Sequence, residues 1–207
     1  MNPKISWPNN KKFAFTVFDD TDGANLKDNQ LIYQYLDELG FKTTKSVWVV
    51  QGNNGSKEQG ITCEDNEYLN WLLVLKKKGF EIGYHNTTFH SSQREEIKKG
   101  LHKFKTLFNH YPITMANHYA NQENIYWGPN RLTGFHRIIY NILTRFKWKN
   151  YYQGHNETSS YFWGDLCKKH VTYVRNFVFS DINTLKCCPY MPYKDNAKPY
   201  VNYWFAS

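Results

Sequence analysis

The stretch "KKFAFTVFDDTDG", Lys11 to Gly23, decides how the rest of the chain is read. Phe13 to Phe18 has the composition of a buried strand, and it runs into three carboxylates within four positions: Asp19, Asp20 and Asp22. Adjacent acids at the end of an apolar strand repel one another and lose solvation, so something positive is expected beside them.

Working outward, a helix is expected over Asp28 to Leu39, with Leu31, Tyr35, Leu36 and Leu39 at helical spacing and Gly40 as its stop. β-Branched "TTKSVWVV", Thr43 to Val50, reads as a second strand, followed by the polar, glycine-bearing loop "QGNNGSKEQG". "CEDNEYLNWLLVLKKKG" reads as a second helix closed by Gly79, and "FEIGYH" as a third strand ending at His85. "SQRE", Ser92 to Glu95, has the form of a capping box. The helix it opens carries Ile97, Leu101, Phe104 and Phe108 on one face and ends near Pro112. "ITMANH" is a fourth strand ending at His118, a further helix covers about Phe135 to Phe146, and later strands fall at Tyr173 to Phe179 and Tyr200 to Phe205. Strand and helix alternating in this way predict parallel βαβ units in a single α/β domain spanning 1–207, without repeat or linker.

Bulk composition narrows the function classes. With 41% apolar and 18% aromatic residues over 207 positions, the chain can bury a sizeable core and is not of disordered type. The formal charge of +8 is spread along the chain. Its densest run, Lys76 to Lys78, sits at a helix end, where cations complement the dipole. A nucleic-acid partner is therefore not expected. Nothing approaches the apolar length of a membrane span, and "MNPKISWPNNKK" has no signal core. The four cysteines, Cys63, Cys167, Cys187 and Cys188, follow no zinc spacing and read as reduced thiols, giving a cytoplasmic expectation.

The polar clusters share one kind of place. Asp19, Asp20 and Asp22 follow strand one, His85 and His90 follow strand three, and Asn117 and His118 follow strand four. In a parallel α/β sheet or barrel all strand C-termini face one rim, so these groups converge. Acids and imidazoles at one rim suit a divalent metal. Taken singly, each cluster has a plainer reading, as a turn, a helix cap or a hydrogen-bonded histidine. Four residues separate His85 from His90, so the two must lie on a loop to hold one ion. Tyr126 and Trp127 stand in a loop-like aromatic motif that either stacks on a pyranose face or packs as wall. Arg175 and Asp181, on a buried strand, either pair or line the cleft.

These residues carry a family resemblance. "FTVFDDTDG" resembles the motif that opens polysaccharide deacetylases of the NodB-homology type, carbohydrate esterase family 4, and "GFEIGYHNTTFHSS" resembles their second motif. The similarity covers about Lys11 to Pro112. It implies a distorted (β/α) barrel with fewer strands than the eightfold form, an Asp and two histidines on a divalent metal, usually zinc, and a first Asp as general base. Carried over, Asp20, His85 and His90 are the expected ligands and Asp19 the expected base. The chain departs from the pattern in three respects. One extra residue separates the histidines. The third motif's arginine is missing from "MANHYANQENIYWG", where Asn117, His118 and Asn124 are the polar groups. The last motifs are not recognisable, and "YVNYWFAS" ends on a core strand, so an incomplete barrel lacking the family's C-terminal part is expected.

The activity implied is metal-dependent removal of an N-acetyl or related acyl group from a polysaccharide or sugar amide. Asp19 would take the proton of the attacking water and His118 would serve the leaving amine, with Trp127 and Tyr126 on the sugar and Asp22 and Asn117 behind the ligands. Two alternatives use the same fold: a catalytically impaired glycan-binding protein, and a hydrolase of a small non-peptide amide.

Overall fold

The computed structural model describes residues 8–12, 15–53, 59–177 and 194–206. Among the described residues, six strands and five helices follow one another as β1 (Phe18–Asp19), α1 (Leu26–Glu38), β2 (Thr44–Val47), α2 (Asn66–Lys77), β3 (Glu81–Tyr84), α3 (Arg94–Phe108), β4 (Thr114–Ala116), α4 (Gly134–Leu143), α5 (Gly164–His170), β5 (Tyr173–Phe177) and β6 (Tyr203–Ala206). All neighbours pair in parallel in the order β1-β2-β3-β4-β5-β6. Crossovers of one hand from β1 to β5 then stack the helices on one side of the sheet.

The sheet is curled. In a flat sheet β1 and β5, four strand spacings apart, would lie about 19 Å from each other. Instead, Asp20, next to β1, meets Arg175 of β5 at 2.6 Å, and the rings of Phe18 and Phe205 stand 5.5 Å apart across the concave side. This α/β fold is a half-barrel whose two ends are tied through side chains.

Strand alternation sorts the two faces. Val47, Tyr84, Met115, Val174 and Trp204 lie in register across five strands, and all are fully buried under the helices. Tyr68, Leu72, Ile97, Leu101, Phe104 and Phe108 come down to meet them. The concave face is polar at its base, where Glu81 accepts from Thr44 at 2.6 Å and from Thr114 at 2.8 Å. Gly83 stands between those threonines. A Cβ there would lie 2.9 Å from Thr44 and 3.0 Å from Thr114, so only glycine lets the three strands curl this tightly.

Several boundaries differ from expectation. β1 is two residues long; Phe13 and Ala14 lie outside the described residues, while Phe15 and Val17 are exposed beside an edge that, among the described residues, pairs only with β2. The capping box of α3 is shifted by one: Gln93 is the N-cap, and its N–H donates to Glu96 at 2.7 Å. Ser92 is buried instead, because its N–H is claimed by Glu123. α5 has no counterpart in the sequence reading, being a short helix in a segment dense with aromatic and turn residues. Cys63 and Cys167 are free and buried, and Cys187 and Cys188 lie outside the described residues. No helix among the described residues is long and apolar enough to cross a membrane.

Candidate metal centre

Three strand ends build the centre. The chain leaving β1 carries Asp20 and Asp22, His85 follows β3 directly, and His118 follows β4 by two residues. Asp22 Oδ1 lies 2.9 Å from His118 Nε2, and Asp22 Oδ2 lies 3.5 Å from His85 Nε2. One ligand atom from each of Asp22, His85 and His118 falls within 4.8 Å of the others. Two atoms bound to one tetrahedral zinc at about 2.0–2.1 Å are separated by roughly 3.4 Å, so the cluster is close to the spacing that an ion imposes.

The unpaired atoms make the same point. His85 Nδ1 and Nε2, His118 Nε2 and Asp20 Oδ1 are buried and form no hydrogen bond of good geometry. Buried polar atoms left in this state cost roughly 1–3 kcal/mol each, a penalty that a shared cation would remove for the two Nε2 atoms. The donor set of one carboxylate and two imidazoles fits zinc or a similar borderline ion.

Electrostatics within the cluster are strongly coupled. Burial raises the Asp22 carboxyl, but the neighbouring His118 and His85 outweigh it and hold the group well below the usual carboxylate range. For His118, burial pulls the imidazole down, yet the Asp22 carboxylate, with Asn121 and Glu123 behind, carries its pKa above the ordinary value. Trp48, fully buried at the end of β2, walls the site with its ring centroid 5.1 Å from His118 and 5.8 Å from His85.

No family model matches this chain, and no curated protein or solved structure is significantly similar to it. Its chemistry has to be argued from its own geometry.

The residues singled out in the sequence are distributed as follows. His85 and His118 are in the triad together with Asp22; Asp22 was expected behind the ligands and His118 at the leaving amine rather than on the ion. Asp20 is beside the triad, its Oδ1 lying 3.9 Å from His85 Nδ1 and its Oδ2 held by Arg175. Asp19 points through the other face of the strand, where Lys45 Nζ lies 2.9 Å away and the Tyr33 hydroxyl donates to it at 2.9 Å. That carboxylate is occupied on the helix side of the sheet. His90 is not in the triad; its carbonyl accepts from Asn121 at 3.1 Å and its ring packs towards Phe89. Asn117 pins the loop after β4 by accepting from the Ile125 N–H at 2.9 Å. Tyr126 is taken up in the core, its ring 4.4 Å from that of His155, so it offers no face for a sugar. Trp127 is half-buried under the guanidinium of Arg131. Asp181 lies outside the described residues, and Arg175 is paired with Asp20.

Two features were not read from the sequence. One is the partner of Arg175, which was expected to pair with Asp181 or line the cleft and instead holds Asp20, 155 positions away. The other is a buried polar scaffold behind His118. Asn121 Oδ1 faces His118 Nδ1 at 3.2 Å, and Asn121 Nδ2 donates to Glu123 at 2.9 Å. Glu123 also accepts from Asn86 at 3.0 Å and from the Ser92 N–H at 3.1 Å. With Asn121 Oδ1 accepting from Nδ1, Nε2 is the atom His118 turns to Asp22 and would offer to a shared ion. "NQEN" carries this scaffold, yet in a sequence it looks like any polar loop. For the acids, strand alternation separates Asp19 from Asp20, but Asp22 lies in the turn that follows β1, where that rule no longer applies.

Proposed function

We propose that the protein is a metal-dependent hydrolase of the NodB polysaccharide-deacetylase type, removing an N-acetyl or related acyl group from a sugar amide. The observation that carries this reading is the convergence of Asp22, His85 and His118 from three strand ends, with their inner atoms unbonded. The motif resemblance at "FTVFDDTDG" and "FEIGYH" and the half-barrel shape support the family and the substrate class.

Asp22, His85 and His118 would hold the ion. When bound, a divalent ion lowers the pKa of water and polarises a carbonyl. The protein's part is to place a proton acceptor beside it. Asp20 is better set for that than Asp19, because Arg175 fixes Oδ2 at 2.6 Å while Oδ1 is left unbonded next to His85. Arg175 thus fills, from β5, the orienting role that the resemblance assigns to a missing third-motif arginine. Trp48 closes the back of the pocket against bulk water.

The test measures metal content and acetate release together. Wild-type protein dialysed against zinc should retain metal, and Asp22→Asn, His85→Ala and His118→Ala should each lose most of it. Asp20→Asn should keep the metal but release acetate from N-acetylglucosamine oligomers at least about a hundredfold more slowly. A wild-type chain that holds no metal, or triad variants that hold as much as wild type, would remove the basis of the proposal. Retained metal without acetate release, but with ring opening of a small imide, would move the substrate class to non-glycan amides.

A further inference from the structure

Helix α4 is amphipathic the wrong way round. Phe135, Ile138, Ile139, Ile142 and Leu143 recur at helical spacing, and Phe146 continues the stripe past the helix end. These side chains are between 38% and 78% exposed, while Asn141 is the buried residue of the helix. A three-turn helix whose apolar face looks outward and whose amide looks inward is not using that face for its own core.

The charge around the stripe says what covers it. From Asn124 to Asn156 there is no Asp or Glu, and Arg131, Arg137, Arg145, Lys147 and Lys149 give five positive charges, against a net +8 for the whole chain. Arg145, Lys147 and Lys149 are exposed, and Lys147 and Lys149 lie over the rings of Trp148 and Phe146. Cations thus sit directly on the apolar stripe's C-terminal end, with indole and phenyl rings between. An apolar helix face bordered by basic and aromatic residues fits the boundary between headgroups and acyl chains of an anionic bilayer. Helix α1 supplies the contrast: its exposed Leu31, Ile32 and Tyr35 are accompanied by the acids Asp28 and Glu38, which such a surface would repel.

We infer that α4 and the segment to Lys149 form a docking surface for an anionic lipid bilayer, on which the protein lies peripherally. The surface adjoins the metal centre, because Trp148 packs edge-on against Tyr119, the residue after His118, at 5.9 Å. This inference stands independently of the hydrolase reading, since neither Asp22, His85 nor His118 contributes to it.

Co-sedimentation of the full chain with vesicles tests it. Vesicles of phosphatidylcholine and phosphatidylglycerol in equal parts should carry the protein down, and phosphatidylcholine alone should do so far more weakly. A cation near such a surface is worth about fivefold in affinity, so Arg145→Gln, Lys147→Gln, Lys149→Gln together should cost on the order of a hundredfold. Ile138→Ser with Ile142→Ser should cost at least about tenfold. All five positions are exposed, so circular dichroism and the thermal midpoint should be those of wild type. Three results would overturn the inference. They are failure of the wild-type chain to sediment with anionic vesicles, a self-associating chain whose dimer is broken by the serine variant without any vesicle binding, and retention on nucleic acid that responds to the glutamines but not to the serines.

Discussion

Glu123 offers the sharpest test of the scaffold behind His118. Its carboxyl is fully buried, and burial pushes its pKa up to about 7 despite hydrogen bonds from Ser92, Asn121 and Asn86. An unfolded glutamate titrates near 4.5. Between these values the unfolded chain has released the proton that the folded chain retains, so stability falls as pH rises and levels off above about 7. The separation of the two pKa values corresponds to about 3 kcal/mol. Glu123→Gln removes this titration. At pH 4.5 the variant should be the less stable by about 1–3 kcal/mol, because the amide nitrogen meets the Ser92 N–H, a donor facing a donor. By pH 7.5 that deficit should have shrunk by about 3 kcal/mol, leaving the variant equal to or better than wild type. His118, whose pKa is raised, also loses stability as pH rises, and Asp22, whose pKa is lowered, loses it only in acid. Asp22 contributes equally to the two proteins and cancels when the urea-unfolding curves are subtracted across pH; His118 cancels except for the part of its shift that Glu123 itself supplies, which belongs to the difference. A difference that stays constant from pH 4.5 to 7.5 would refute the reasoning, because Glu123 would then be ionised in the fold throughout.

Other perturbations probe what shapes the half-barrel. Arg175→Met should cost about 1–2 kcal/mol in denaturant unfolding, since Asp20 is partly solvated, and adding Asp20→Asn should recover part of the loss; additive costs would mean that the pair does not tie the sheet ends. Gly154→Ala would set a Cβ 1.9 Å from the Glu123 carbonyl oxygen, so a loss of at least about 3 kcal/mol is expected, with weaker metal retention because the Glu123 loop must shift; an unaffected thermal midpoint would contradict the packing. Phe104→Ala, at a fully buried site on α3, should cost about 3–5 kcal/mol in urea unfolding without changing metal stoichiometry once folded, and a cost below 1 kcal/mol would show that α3 does not seat on the sheet as described.

What the amino-acid sequence determines here is set by short-range periodicity. Ile97, Leu101, Phe104 and Phe108 announce one face of α3, and "FEIGYH" announces a strand ending in an imidazole, because side-chain direction within an element follows from backbone geometry alone. Strand and helix in alternation then imply parallel pairing, and parallel pairing implies a common rim; that is why His85 and His118 could be placed together before any coordinates. The choice among Asp19, Asp20 and Asp22 depended on which face the chain turns as it leaves β1. That choice was settled by partners distant in sequence: Lys45 and Tyr33 draw Asp19 to the helix side, and Arg175 draws Asp20 to the concave side. The curl of the sheet, the tie between β1 and β5 and the burial of Glu123 belong to the same class. They arise from contacts across the whole chain, whose energies no local pattern of residues encodes, so only the tertiary structure could decide them.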